Sequence, residues 1–177
     1  MAKHALKQTN WYVIQVLTGR EEWICGNIKQ MMDPLLYDNC FVPLRETAYK
    51  KRGKYINITK PLFPGYLFLI TDHINQVNAG LWKIAQFTRV LGTGNSFVPL
   101  EEEEVKVFQS LTDKAFNVSL SKGFIVGNEI TITEGPLQGH EGRIRKIDRH
   151  KRMAIIEMSF LGKGTNVRVP LEIVEKR

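Results

Sequence analysis

The residues that could carry catalytic chemistry are few and widely spaced. The chain has four histidines and two cysteines, which are His4, His73, His140, His150, Cys25 and Cys40. Their spacing matches no metal-ligand motif, and the two cysteines are too far apart for a CxxC knuckle. The sequence also lacks a Walker loop, a GxSxG elbow and a dinucleotide-binding fingerprint. We therefore predict a protein that is not an enzyme and needs no metal or cofactor, with both cysteines in the core.

A cluster of basic side chains offers binding chemistry instead. From Arg143 to Arg152 the sequence has six basic residues and one acidic residue, Asp148. Guanidinium groups suit phosphates and base edges, so the cluster predicts an RNA-binding surface, with a solvated turn as the alternative. Alternation predicts that Arg143 and Arg145 share the outer face of one strand. With two later residues included, the candidates are Arg143, Arg145, Lys146, Arg149, His150, Lys151, Arg152, Lys163 and Arg168.

The charge of the whole chain agrees with a polyanionic partner. The net charge is +7, and residues 121–177 carry 11 basic and 7 acidic groups. Lys50, Lys51 and Arg52, at the tip of a predicted β-hairpin, and Lys83, beside Trp82, are further candidates for contact with DNA phosphates. A solvated turn and a surface helix are the simpler interpretations of these two segments.

An aromatic segment, Pro61 to Ile70, is the strongest candidate for binding a protein. Pro64 and Gly65 interrupt the backbone, and a β-strand is predicted after them. Strand alternation places Tyr66, Phe68 and Ile70 on one face, and Leu67 and Leu69 on the other. A strand that is apolar on both faces is either fully buried or has one face open to a partner. We expect Leu67 and Leu69 to lie in the core, and Tyr66 and Phe68 to face a partner.

The predicted elements form an α+β domain followed by a small barrel. A strand from Trp11 is followed by a capping box, in which Thr18 caps a helix and Glu21 reaches back. Further strands, the β-hairpin and two helices follow, the last opening at Pro99 with four glutamates. Short alternating runs separated by glycines then predict a β-barrel. We predict domains at residues 8–112 and 123–177, joined by a linker at 113–122.

Composition limits the location of the protein. A hydrophobic content of 43% and a charged content of 24% are typical of a folded protein. The longest apolar run, Tyr66 to Ile70, is too short to span a membrane, and the N-terminus lacks the apolar core of a signal peptide. We expect a monomer in a reducing cytoplasm, with no membrane partner.

Four motifs in order give the chain a family resemblance. They are Trp11 to Ile14; Phe63 to Phe68; Gly92 to the glutamate-rich helix start; and Val126 to Gly142, which is similar to a KOW module. Phe160 to Thr165 also resembles the family's late loop. Together these motifs resemble the NusG family of transcription factors along nearly the whole chain.

The resemblance implies a fold and a partner. It implies an N-terminal NGN-type α/β sandwich, an antiparallel sheet with helices, linked to a C-terminal KOW-type β-barrel. Members of the family dock on the clamp helices of the largest RNA polymerase subunit and lie beside the non-template DNA strand. The motif match places Phe63, Pro64, Gly65, Tyr66 and Phe68 in the docking surface.

One departure from the family pattern indicates a specialised role. Arg168, in the run from Thr165 to Val169, stands where the family usually has an acid. The resemblance is therefore greatest to the LoaP group of antiterminators, which are recruited by a leader RNA hairpin. A housekeeping factor that binds a termination helicase and a ribosomal protein remains an alternative, as does a ribosome-associated KOW protein. A fold switch of the RfaH kind is a further alternative, against which the β-alternation at Ile130 and Ile132 argues.

Overall fold

The computed structural model describes residues 9–176. His4 and the outer bounds of the two predicted domains, residues 8 and 177, lie outside the described residues. The α-helices are α1 (Glu21–Met31), α2 (Ile74–Ile84) and α3 (Glu102–Leu111). The strands are β1 (Asn10–Gln15), β2 (Asn39–Phe41), β3 (Leu44–Lys51), β4 (Lys54–Pro61), β5 (Tyr66–Thr71), β6 (Arg89–Val90), β7 (Gly92–Thr93), β8 (Ser96–Phe97), β9 (Asn117–Val118), β10 (Ser121–Val126), β11 (Glu129–Glu134), β12 (Ile144–Asp148), β13 (Met153–Phe160) and β14 (Lys163–Lys176).

These elements form two compact units. The first contains residues 9–42 and Pro64–Leu100, and the second contains Pro43–Phe63 and residues 101–176. The sequence predicts β3, β4 and α3 in the N-terminal domain, whereas here they cluster with the C-terminal strands. The predicted domain boundaries remain a prediction. None of the helices in the described part of the chain is long and apolar enough to cross a bilayer.

The first unit is built on a four-stranded sheet in the order β2-β5-β1-β6. Its central pair is antiparallel, with Val13 opposite Phe68 and Gln15 opposite Tyr66. The side chains of Leu67 and Leu69 are fully buried, as their alternation predicts. Both cysteines are also buried, and their Sγ atoms lie 3.5 Å apart. The pKa of Cys40 is raised by its hydrogen bond to Cys25 and by burial, so Cys40 is an inert core thiol.

The start of α1 differs from the predicted capping box. The N-cap residue is Arg20 rather than Thr18, so that prediction is wrong. The carboxylate of Glu21 accepts a hydrogen bond from the Gly19 amide at 2.9 Å and one from the Gly65 amide at 2.7 Å. Glu21 is buried, and it therefore ties the first turn of α1 to the chain reversal before β5.

Replacing Glu21 tests this connection. The variant Glu21→Ala leaves two amide donors without their acceptor, and we expect the free energy of unfolding to fall by about 2–4 kcal/mol. Urea denaturation measures the change, and Glu22→Ala is the matched control because Glu22 is exposed. Equal stability of the two variants would show that the buried carboxylate contributes nothing.

The second unit contains a five-stranded sheet, a three-stranded sheet and α3. The five strands follow the order β11-β10-β14-β13-β12, and the three-stranded sheet follows the order β4-β3-β9. The predicted α+β class with a strand-rich C-terminal region is confirmed. No described residue after α3 is in an α-helix, in agreement with the β-alternation.

The glutamate-rich start of α3 has a second role that its sequence did not reveal. Glu101 and Glu104 form a capping box. The other carboxylate oxygen of Glu104 accepts hydrogen bonds from the Ser159 hydroxyl and the Gly162 amide, both at 2.8 Å. Glu104 therefore fixes the turn between β13 and β14 to the helix.

Candidate functional site

The chain reversal before β5 depends on a buried glycine. Gly65 has a φ of +85°, and a Cβ atom there would lie 2.9 Å from the Thr18 hydroxyl. Its carbonyl accepts a hydrogen bond from the Val16 amide at 2.8 Å. Only glycine fits this conformation without strain, because the left-handed region is unfavourable for residues with a side chain. Pro64, by contrast, is exposed.

The aromatic face of the first sheet is more buried than the sequence suggests. Phe68 is only 1% exposed. Its ring centroid lies 5.6 Å from that of Phe41 and 6.5 Å from that of Trp11. Tyr66, on the same face, is half-buried. Of the two rings expected to face a partner, Tyr66 is therefore the accessible one, and Phe68 supports the face from within.

Phe63 belongs to the second unit and is also buried. Its ring stacks on that of Phe160, with 5.1 Å between the centroids. The docking role of Phe63, Pro64, Gly65, Tyr66 and Phe68 remains a prediction. Within it, Pro64 and Tyr66 offer accessible surface and Gly65 fixes the backbone.

The second unit holds a basic groove that the sequence did not predict as one site. It is an open cavity of about 570 Å³ between the antiparallel pair β3–β4, hereafter the ribbon, and strands β12–β14. Six Lys and Arg side chains line it, with His150 and a single acid, Asp148. The six are Arg45, Lys50, Lys60, Lys146, Lys151 and Arg168. This excess of positive charge in a concave site suits a polyanion.

Strand pairing concentrates the charge of the groove. Arg45 lies directly opposite Lys60 on the ribbon, although like charges at paired positions are unfavourable. Burial lowers the pKa of Arg45, and the nearby charge of Arg168 lowers it further. Arg45 remains a cation at neutral pH, since arginine titrates far above that range. The positive charges of Arg45, Lys60 and Arg168 therefore repel one another, and a bound polyanion would reduce this repulsion.

The candidate RNA-binding residues divide between the groove and other positions. Four of them line the groove: Lys146, His150, Lys151 and Arg168. Lys146 and Arg168 are neighbours there because each pairs with Ile155, from the strand on either side of it. Arg152 lines a neighbouring cavity. The remaining candidates lie outside the groove and are Arg143, Arg145, Arg149 and Lys163.

The predicted strand containing Arg143 and Arg145 is wrong at its start. Arg143 ends a 3₁₀ turn, Glu141–Arg143, and β12 begins only at Ile144. The pairing with β13 then shifts between Ile144 and Lys146, which leaves Arg145 at a bulge. There its Nε donates a hydrogen bond to Glu157 at 2.6 Å, so part of its charge is already neutralised.

The candidate DNA-binding residues are exposed. Lys50, Lys51 and Arg52 lie at the end of the ribbon, where Arg52 and Gly53 form a tight turn with positive φ angles. Lys50 also lines the basic groove. Lys83 lies in the last turn of α2, next to Trp82, which is 75% exposed.

Sequence reasoning missed Arg45, Lys60 and the tyrosines Tyr49 and Tyr55, all of which line the groove. The signal that could have found them is the ribbon register, because the turn at Arg52-Gly53 pairs Arg45 with Lys60. Residues 9–174, whose side chains are described, contain no group of three His, Cys, Asp or Glu residues that could hold a metal.

Comparison with known proteins identifies the family. The family model described as "Transcription termination factor nusG" matches residues 9–109. The "Transcription termination/antitermination protein NusG" of Rickettsia typhi is 28% identical over 99% of this chain and 93% of its own length. The protein of the same name from Halalkalibacterium halodurans is 25% identical over 96% and 99%, respectively.

A solved structure described as "Domain interaction in Thermotoga maritima NusG" supports the fold. It has a TM-score of 0.53 and 19% identity, and the match covers 95% of this chain and 98% of that one. The family model spans more than half of the sequence, and family members interact with RNA polymerase and are not enzymes. The chain belongs to the NusG family and is a transcription elongation and antitermination factor.

Proposed function

We propose that this protein is a specialised antiterminator, most similar to the LoaP group, that is recruited to its operons by a leader RNA hairpin. The basic groove is the observation that carries this proposal. It combines six cations with one acid, and two tyrosines, Tyr49 and Tyr55, lie among them. Phosphates, unpaired bases and aromatic rings are the usual components of RNA recognition by proteins.

The polymerase-binding role is assigned to the predicted N-terminal domain, residues 8–112. Its docking surface would meet the clamp helices of the largest subunit, with Tyr66 as the accessible aromatic anchor. A half-buried tyrosine on a rigid sheet loses little entropy on binding, which is typical of residues that dominate interfaces. The burial of Phe68 and Phe41, and the packing of the Trp11 ring against both, supply the rigidity.

The RNA-binding role is assigned to the predicted KOW domain, residues 123–177, together with the ribbon. The proposed contacts to the non-template DNA strand, which their exposure permits, are Lys50, Lys51, Arg52 and Lys83. We also propose that the protein is a monomer and acts on transcription in the cytoplasm.

Transcription in vitro through a series of terminators tests the function. We expect read-through to rise when the template encodes a candidate leader hairpin upstream, and to stay near the level without the protein when the hairpin is deleted. The control is a leader of the same length with the stem disrupted by base changes on one side. Equal read-through on all three templates would contradict recruitment by RNA.

The housekeeping role is the second candidate, and the relatives favour it. Both relatives described above are named as termination and antitermination proteins, and they align over nearly the whole chain. A housekeeping factor would change transcription equally with and without the leader and would bind a termination helicase in a pull-down. Arg168 argues for the specialised role, because it would present a positive charge to the helicase where the family usually has an acid.

A further inference from the structure

A second cavity adjoins the basic groove and differs from it in chemistry. It has a volume of about 260 Å³, and it shares Thr47, Ala48 and Tyr55 with the groove. Its remaining lining is Glu46, Asn57, Leu120, Arg152 and Pro170. This volume is far larger than that of one water, about 30 Å³. It is near the lower limit of about 300 Å³ for small-ligand sites, so it suits one planar ring rather than a whole nucleotide.

Arg152 lines this cavity, and two contacts hold its guanidinium. Its terminal nitrogen pairs with Glu172 at 2.8 Å, and its guanidinium lies 5.4 Å from the centre of the Tyr55 ring. These two contacts fix the plane of the group. Its Nε–H is buried and has no hydrogen-bond partner among the described residues. The side chain as a whole is 24% exposed, so other atoms of Arg152 face the cavity.

The backbone of Arg152 is held in a strained conformation. Arg152 ends the turn between β12 and β13 with a φ of +52°, a conformation in which glycine or asparagine is more favourable. The Arg152 carbonyl accepts a hydrogen bond from the Leu171 amide at 3.0 Å. The side chain is therefore presented from a rigid turn, despite the strain, and this is typical of functional positions.

Glu46 supplies an acceptor on the same cavity. One oxygen of its carboxylate accepts a hydrogen bond from the Leu120 amide at 2.8 Å, which orients the group. A carboxylate accepts further hydrogen bonds, and the Asn57 amide can donate and accept. Tyr55, Leu120 and Pro170 provide apolar walls. The cavity thus pairs a fixed donor with a fixed acceptor between apolar surfaces, and the edge of a nucleobase presents the complementary groups.

We propose that this cavity binds one unpaired base of the RNA whose backbone lies in the basic groove. The base edge accepts a hydrogen bond from the Arg152 guanidinium and donates one to the Glu46 carboxylate. The proposal rests on RNA binding by the groove, as proposed above, and adds that the bound RNA must carry a bulged or looped base. A continuous duplex would fill the groove and leave the cavity empty.

The test compares two RNAs that differ by one unpaired nucleotide. One is a blunt RNA duplex, and the other is the same duplex with a central single-base bulge, prepared with each of the four bases. Fluorescence anisotropy with the full-length chain measures both affinities over a range of salt concentrations. We expect the best bulged duplex to bind about tenfold more tightly than the blunt one, as one stacked base provides.

Two variants separate the cavity from the groove. In Arg152→Lys the charge remains but the planar guanidinium is lost, so we expect the preference for the bulge to fall to about twofold or less, with an unchanged salt dependence. Lys151→Gln is the matched control in the groove, and it should weaken both RNAs equally and keep the preference. If Arg152→Lys is poorly folded, Asn57→Leu, which removes the amide from the cavity wall without altering Arg152, should also abolish the preference.

The outcomes distinguish this inference from the proposed function. Equal, salt-dependent binding of bulged and blunt RNA by the wild-type protein would overturn the base-binding cavity and leave the groove intact. A tenfold preference that persists in folded Arg152→Lys and Asn57→Leu would also overturn it. If neither RNA is bound, or if a bulged DNA duplex binds as tightly as RNA, the RNA-binding function itself fails.

Discussion

Replacing Tyr66 with alanine is expected to weaken binding to RNA polymerase at least tenfold while the protein stays folded. Tyr66 is the accessible ring on the aromatic face of the first sheet, and truncating an aromatic anchor at an interface typically costs this much or more. The measurement is the affinity of the purified chain for polymerase, or for a fragment that carries the clamp helices, by biolayer interferometry. Thermal unfolding of the variant establishes that the fold is retained.

The control for Tyr66→Ala is another apolar residue of the same unit. Leu35 is 84% exposed, and Leu35→Ala should leave polymerase binding unchanged. If both variants bind as the wild-type protein does, the docking surface lies elsewhere. Phe68→Ala is unsuitable for this test. Phe68 is only 1% exposed, and we expect its truncation to lower the free energy of unfolding by about 3–5 kcal/mol.

Neutralising three cations of the basic groove is expected to reduce RNA affinity strongly and to flatten its salt dependence. In the triple variant Lys146→Gln, Lys151→Gln and Arg168→Gln, each lost phosphate contact should reduce the slope of log affinity against log salt by about 0.7–0.9. The total reduction is then roughly two to three. Titrations with a labelled RNA hairpin at several salt concentrations measure the slope directly.

A second triple variant provides a control with the same change in charge. Arg143→Gln, Arg149→Gln and Lys163→Gln remove three positive charges at candidate residues outside the groove. We expect this variant to retain most of the slope and affinity, because these three residues do not line the groove and charges beyond direct contact with a phosphate are screened by salt. Equal losses in the two triple variants would mean that RNA binds through diffuse positive charge rather than in the groove.

Much of the fold could be predicted because its signals are local. The turn at Pro64-Gly65, the strand after it and the β-ribbon with its tip at Lys50 to Lys54 all depend on residues adjacent in sequence. The capping box at Thr18 was mistaken because a distant amide competes for the carboxylate. Glu21 binds the Gly65 amide, 44 positions along the chain, and no local pattern contains that partner.

The candidate surfaces could be predicted only in part, because they also depend on contacts between residues far apart in the sequence. Alternation correctly placed Tyr66 and Phe68 on one face of a strand. It could not show that Trp11 and Phe41 pack against Phe68 and bury it, since these residues come from separate strands. The composition of the segment from Arg143 to Arg152 predicted a basic cluster. It could not show that a bulge places Arg145 in an ion pair with Glu157, outside the groove.

By itself, the sequence determined the family, the α+β class, the aromatic strand and the excess of positive charge near the C-terminus. These follow from residue type and short-range periodicity, which are properties of the chain before it folds. Only the tertiary structure decided that Arg45 and Lys60 of the ribbon join Lys146 and Arg168 in one groove, with Arg152 in a cavity beside it. The physical reason is that the pairing of strands and the packing of one sheet on another, not distance along the chain, set which charges are neighbours. Strand β3 packs against β14, which begins more than a hundred residues later.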